Sequence, residues 1–482
     1  MRGKYKFYIW IVGFVSMFLH GKTDAQQALY PLLEKKSWSQ VLEENEYKWH
    51  PPYTINLLIH PLHSSDWIYL NPSMVVSRRH VIRNISSTNF EQRKKAESQE
   101  DLVVQFAFDN PPFIPDFRLT NLRLAEDKYP VATADYFAND IYYKIEYAAT
   151  VLDDSQTLLC LRVGAKNESD KIKQIMIRSK IGYYSENKMF DYHYIPYRWT
   201  NEKWKDYDQV VLKEHSIYKG QQLIGEVVSE NMNLFWEEKK SYTDKEYEDI
   251  LYPQVWYGSG YVTPEFRVKD MHRVVCAMKE VQPNDSAFFV LKLLVNDSLI
   301  TSFHEESLKQ LTFKDVKEKA IADFKVPFTD KTLKTEFKRD EWEDLFCSLQ
   351  LSTLQLLVND FQNKMYQPAQ GGSSERFFVW VFEAVQMLRP MLRTGQFESV
   401  KKSLDYIFSL QDAGFPPVGK FTTTSGAIGT TGPRWANTTG MALALACDYY
   451  LYSKDQQFME DYLSKILKAV HWILGEIKVL VR

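Results

Sequence analysis

The chain has 482 residues, a formal charge of −3 and a pI near 6.4. That balance excludes the broad basic surface on which nucleic-acid binding rests, so no nucleic-acid partner is expected. The length points to more than one domain, and an aromatic content of 15% suits sugar-stacking surfaces and large sandwich cores equally.

The N-terminus starts basic, with Arg2, Lys4 and Lys6, runs through an apolar core from Phe7 to Leu19 and ends in a polar tail at Ala25. Such a core is short for a bilayer span and is followed by a small residue, which reads as a cleaved secretory signal over residues 1–25. The mature chain then starts near Gln26, is secreted or periplasmic, and has no stable membrane insertion after cleavage.

Residues 26–297 read as an antiparallel β-sandwich. The segments TINLLIH, DLVVQFAFD, IYYKIEYAATVLD, TLLCLRVGA, KIKQIMIRS, HRVVCAMKEV and AFFVLKLLVND are rich in β-branched and aromatic residues, with no helices regularly interleaved. In IYYKIEYAATV, Ile141, Tyr143, Ile145 and Tyr147 fall on one face. The polar and aromatic stretch from Asn231 to Tyr252 reads as an excursion from the sandwich. Of the four cysteines, Cys160 and Cys276 lie on predicted strands, where a disulfide is conceivable; buried free thiols are the favoured reading. His60 and His63 have a metal-like spacing without a third ligand, so they read as a loop pair with no metal site.

Residues 298–337 form a linker with one predicted helix, in which Phe313, Val316, Ala320 and Phe324 share a side and Pro327 sets the end. Residues 338–482 alternate two kinds of helix. The run from Trp342 to Phe361 and the stretches VKKSLDYIFSLQ and QQFMEDYLSKILKAVHWIL are one-sided; Arg376 to Thr394 and Thr438 to Tyr452 are apolar on most faces and read as fully buried. Connections are tight at Thr394-Gly395-Gln396 and Ser453-Lys454-Asp455. The returning connections are long and rich in Gly, Ser and Thr, which places a binding surface at the N-terminal ends of the buried helices.

With its loops GGSSER (371–376) and GPRWANTTG (432–440), this alternation resembles the first hairpins of the six-hairpin (α/α)6 toroid of glucoamylases, trehalases and α-L-rhamnosidases. The implied fold class is multidomain β + α, a sandwich followed by a partial (α/α)6 toroid. That domain order resembles glycosidases and glycoside phosphorylases, whereas toroid polysaccharide lyases usually begin with their helices. The resemblance implies a carbohydrate ligand or substrate, gripped at Glu375 and Arg376, although the family more often shows Arg followed by Asp. Trp435 and Asn437, beside Arg434, have the chemistry to stack on a sugar face and bond a hydroxyl; the alternative is that Asn437 or Thr438 caps the helix.

In that family the general acid follows the fifth helix and the base comes much later. Counted from Trp342, the fifth helix here is the last before Arg482, so neither catalytic carboxylate is assigned, and the expectation is a toroid cut short that lacks turnover. Asp412, in QDAGFPP, reads as a helix stop with a turn rather than as a catalytic group. No cofactor is expected. The competing expectations are a non-catalytic glycan-binding protein and a fragment of a glycoside phosphorylase.

Overall fold

The computed structural model describes residues 57–70, 74–80, 100–115, 120–153, 156–185, 210–242, 271–296, 300–328, 332–333, 336–360, 364–369, 379–412, 425–429 and 436–480, all within the unit His50–Arg482. The predicted signal and the candidates Glu375, Arg376, Arg434 and Trp435 lie outside them.

Two large antiparallel sheets come first. The strands of one sheet, in chain order, are β1 (Leu57–Leu58), β2 (Asp66–Leu70), β3 (Val76–His80), β4 (Glu100–Phe108), β9 (Lys173–Ser185), β13 (Asn233–Glu237) and β14 (Val274–Val281). They pair in the order β1-β2-β3-β4-β9-β14-β13. The second sheet holds β5 (Asn121–Ala125), β6 (Tyr129–Ala138), β7 (Ile141–Asp153), β8 (Gln156–Asn167), β10 (Val210–Lys213), β11 (Ser216–Lys219), β12 (Gln222–Ser229) and β15 (Ser286–Leu294). Its order is β10-β11-β12-β15-β8-β7-β6-β5.

The inner faces meet through aromatics. Ile141, Tyr143, Ile145 and Tyr147 are all buried, as their spacing predicts. The Tyr143 ring lies 4.4 Å from that of Phe108 on β4, and the Tyr147 hydroxyl donates to the Met74 carbonyl at 3.4 Å. On β8, Leu159 and Leu161 alternate with Leu158 and Cys160, and all are buried. Leu158 and Cys160 belong to a second core formed with three helices, so β8 is covered on both sides and reads as a continuous apolar run. Cys160 and Cys276 are buried free thiols, one on each sheet, and burial pushes the Cys160 thiol up to about 12. Within the predicted excursion, Asn233–Glu237 is instead the edge strand β13, paired along its length with β14.

The helices over the second sheet are α1 (Ser302–Gln310), α2 (Phe313–Lys325) and α3 (Asp340–Gln355). Both α1 and α2 begin with a capping box, in which the Thr301 and Thr312 side chains accept from the backbone N–H of His304 and Asp315, whose side chains reach back. The predicted face of α2, Phe313, Val316, Ala320 and Phe324, packs on Leu158, Cys160 and Leu294. The helix predicted from Trp342 to Phe361 is shorter. It stops at Gln355, and the chain turns into strand β16 (Leu357–Asp360), which pairs with β17 (Met365–Pro368). Leu351 joins the sandwich-side core and Leu354 the helical core, so α3 bridges the two, and Trp342 stays exposed.

Two helical hairpins follow, α4 (Val381–Arg393) with α5 (Phe397–Ser409), and α6 (Ala436–Ser453) with α7 (Gln456–Leu480). Contacts between α5 and α7 advance in step along both: Lys401 pairs with Asp455 at 2.8 Å, the Tyr462 hydroxyl donates to Asp405 at 2.7 Å, and Gln411 reaches the Lys465 carbonyl at 2.9 Å. The outer helices therefore run parallel. Since each turns tightly from its partner, α4 and α6 run parallel as well; Arg389 and Asp448, both near their C-terminal ends, pair at 2.8 Å. Their shared core includes Ala384, Val385, Leu388, Ala442, Leu445 and Ala446.

The expectation that α4 and α6 are buried all round is not met. Ala384, Val385 and Leu388 face the core while Phe382 is 42% exposed, and on α6 Cys447, Leu451 and Tyr452 are exposed. These helices are half-covered, and closure of the hairpins into a ring is not part of the described structure. Among the described residues, no helix is long and apolar enough to cross a membrane.

Candidate functional site

Parallel stacking puts the N-terminal ends of α4 and α6 at one end of the hairpin pair, the end at which both long connections enter. Asn437 is the candidate described there. It is exposed, and its Oδ1 accepts from the Thr438 N–H at 2.8 Å, which satisfies one of the donors that a first helical turn leaves open. The capping alternative thus describes part of what Asn437 does, while its exposure leaves it accessible to a ligand.

The segment 425–429 is clamped to this helix start. The Thr439 hydroxyl donates to the Ile428 carbonyl at 3.2 Å and accepts from the Ile428 N–H at 3.1 Å. Asp412 completes the clamp: its N–H donates to the Ala427 carbonyl at 2.9 Å, its carboxylate accepts from the Gly426 N–H, and it is paired with Lys468. Asp412 closes the base of the loop 413–424 and sits where a helix stop is needed, with φ at 65°.

Gly426 has φ at +103°, and a Cβ there would lie 2.4 Å from the Lys468 carbonyl oxygen. Only glycine fits both demands. Gly426→Ala is expected to destabilise the helical half by more than about 1 kcal/mol and to increase protease cleavage within 413–424. Urea unfolding with limited proteolysis checks this; wild-type cleavage kinetics in the variant would dismiss the clamp.

A second feature lies where the sandwich meets the helices. The loop after β1 is stitched to the end of α3. The His60 ring bonds the Gln355 carbonyl at 3.0 Å, the Gln355 amide donates to the His60 carbonyl at 2.6 Å, and the His63 ring bonds the Leu357 carbonyl at 2.9 Å. The two rings engage separate backbone carbonyls rather than converging on one point. His63 also stacks on Tyr366 with centroids 4.2 Å apart, and Lys402 of α5 sits over that Tyr366 ring at 4.9 Å, which ties the sandwich loop to the hairpins. Desolvation holds both imidazoles down to about 4, well below the usual 6.5.

Beside this loop is a cavity of about 200 Å³ lined by His63, Asp66, Asp153, Gln156, Thr157 and Asn359, among others. Its carboxylates are matched by partners. Asp66 Oδ1 accepts from Arg78 Nε at 3.0 Å and Nη2 at 2.9 Å, and Asp153 Oδ2 is 2.7 Å from His304 Nε2. His304 Nδ1 accepts from the Thr301 N–H at 3.1 Å, so the imidazole proton resides on Nε2 and is donated to Asp153. Ligand pockets usually run to about 300–1,000 Å³, so this cavity suits water or a small polar molecule. Asp153 reads in sequence only as a turn residue, and Asp66, Gln156 and Thr157 carry no motif; only folding gathers them. Among the described residues no cluster of His, Cys, Asp or Glu is arranged to hold a metal ion.

No protein-family model matches the chain, and no curated protein matches it. Among solved structures it is similar to a candidate kojibiose phosphorylase from human microbiome, with a TM-score of 0.39 and 10% identity over 86% of this chain and 57% of that one. A glycosyl hydrolase of family GH92 gives a TM-score of 0.28 at 8% identity, covering 89% of this chain and 55% of that one. The GH92 α-mannosidase of Bacteroides thetaiotaomicron gives 0.28 at 10%, covering 89% and 62%. The chain spans a little over half the length of these structures, and likeness of this degree leaves the chemistry to be argued from the residues.

Proposed function

We propose that the chain is a carbohydrate-binding protein of the six-hairpin glycosidase kind, exported after removal of residues 1–25, whose hairpins are part of a toroid. In this reading residues 26–297 are the sandwich, 298–337 the linker and 338–482 the helical domain, and sugar is held at Glu375, Arg376, Arg434, Trp435 and Asn437. The observation that supports it is the parallel course of α4 and α6, which sets their N-terminal ends at one end of the stack; in this reading the preceding connections, GGSSER and GPRWANTTG, meet there. A Trp beside a carboxamide and two guanidinium groups supplies a stacking face and hydroxyl partners.

A few such contacts support an affinity in the millimolar range, about 4 kcal/mol. The experiment is titration of the chain with a panel of oligosaccharides, followed by tryptophan fluorescence and calorimetry. A saturable response that weakens at least about tenfold in Trp435→Ala and Asn437→Ala is expected. Absence of saturable binding across the panel sinks the proposal. The same samples, screened with aryl glycosides, are expected to show background turnover; hydrolysis abolished by Glu375→Gln or Asp412→Asn would turn these positions into catalytic ones.

A further inference from the structure

The loop that follows β1 holds to the helical half through two histidines. The His60 ring donates to the Gln355 carbonyl at 3.0 Å, and the Gln355 amide returns a bond to the His60 carbonyl at 2.6 Å. The His63 ring donates to the Leu357 carbonyl at 2.9 Å, and the Asn359 N–H donates to the His63 carbonyl at 3.0 Å. Between them Leu62, half-buried, packs against both the sandwich-side core and the helical core. The same loop supplies His63, Ser64, Ser65 and Asp66 to the lining of the junction cavity.

Each ring meets its carbonyl as a neutral imidazole, so a proton taken up brings a charge, and the charges nearby are already matched. Those acting on His60 are Asp66 and His63, and Asp66 accepts from Arg78 Nε and Nη2 at 3.0 and 2.9 Å. Those acting on His63 are Lys402 and Glu398 of α5, which pair with each other at 2.9 Å, while its ring stacks on Tyr366 of β17. A protonated ring in either seat is out of water and finds its nearest carboxylate engaged by another cation, so charge there is penalised. The two rings also repel each other once charged. Lifting the loop returns both to water.

We propose that residues 60–66 form an acid-released latch, which lifts from α3 and β16 below about pH 5 and opens the junction cavity to solvent while both sheets and the hairpins stay folded. Both seated rings titrate near 4, against 6.5 in water, so the lifted form gains about thirtyfold per imidazole as pH falls from about 7.5 to about 5. The bonds given up are the four just named. The β7–β8 ladder, paired from Ile141 with Asn167 to Asp153 with Gln156, is untouched, which makes the opening local.

Hydrogen exchange of the full chain, read by mass spectrometry as protection relative to the intrinsic rate at each pH, tests this. Between about pH 7.5 and about pH 5, peptides covering 57–66 and 355–360 should lose protection at least about tenfold, and peptides within β7 and β8 should keep theirs. His60→Gln/His63→Gln keeps a donor for each carbonyl and removes both titrating rings, so its seam protection should not change over that range. Lys402→Met frees Glu398 to pair with a charged His63 and should make the loss smaller than in the parent. Seam protection that is the same at both pH values overturns the proposal, as does a loss shared equally by β7 and β8 or one that persists in the double variant. If the double variant does not fold, Lys402→Met decides, and a loss at least as large as in the parent overturns the latch.

Discussion

Glu237→Ala should destabilise the protein by about 3–5 kcal/mol, because it strands a buried guanidinium. Arg178 on β9 is fully buried, and its Nε donates to Glu237 Oε2 on β13 at 2.8 Å. The rest of the fork is engaged: Nη1 donates to the Asp109 carbonyl at 2.6 Å and Nη2 to the Ser241 hydroxyl at 2.9 Å. An arginine stays charged at any working pH, so losing the Glu237 carboxylate takes from it the ion-pair partner found among the described residues and leaves a charge in a dry place. Neighbouring carboxylate and burial also push the Cys276 thiol up, desolvation being the larger cause. The double variant Arg178→Met/Glu237→Leu should recover most of the loss, since removing both partners leaves no uncompensated charge. Urea unfolding of the three proteins decides it. A loss below about 1 kcal/mol for Glu237→Ala would mean that water reaches Arg178 and that the edge strand does not seal this face.

Acid should loosen the junction between sandwich and helices. His60 is fully buried and its folded value is near 4, against 6.5 in the unfolded chain. Because the folded value is the lower, the unfolded chain takes up the proton first as pH falls. Stability is complete above pH 6.5 and is lost progressively between 6.5 and about 4. The size is about 2 kcal/mol at pH 5, approaching about 3 kcal/mol once both states are protonated. His63, held near 4 by desolvation as well, acts in the same direction. His60→Gln keeps a donor for the Gln355 carbonyl without a group that titrates near neutrality. Its stability should therefore change less between pH 7.5 and pH 5 than that of the parent by about 2 kcal/mol. Identical pH profiles for the two proteins would show that His60 is solvated in the folded state.

Much of the architecture is written in local pattern. The alternation of Ile141, Tyr143, Ile145 and Tyr147 predicts a half-buried strand and its inner face, and all four are buried. The stripe Phe313, Val316, Ala320 and Phe324 names the buried side of α2. The tight turns at 394–396 and 453–455 and the stop at Asp412 are likewise legible, because each depends on residues close in sequence. Sugar contacts at the loop ends are suggested by residue chemistry alone, and of those candidates the described structure places Asn437.

Tertiary structure decides what local pattern cannot record. Strands β2, β3 and β13 carry Asp66, Arg78 and Glu237, whose charges argue against burial until their partners arrive from other strands; the partner of Glu237 lies 59 residues away. The apolar look of α4 and α6 is misleading for the complementary reason. Hydrophobic periodicity reports which faces of a helix are able to be covered, whereas actual covering depends on what packs beside them, and Phe382 and Leu451 remain exposed. The junction cavity is the extreme case. Asp66, Asp153, Thr157 and Asn359 share no motif or spacing, and they meet only because sheet topology brings the loop after β1, the β7–β8 turn and β16 to one place. Composition and periodicity determined the order of sheets and helices in this protein, since burial of one face is a local property of each element; which polar residues are buried together was decided only when distant elements closed on each other and each charge found its partner.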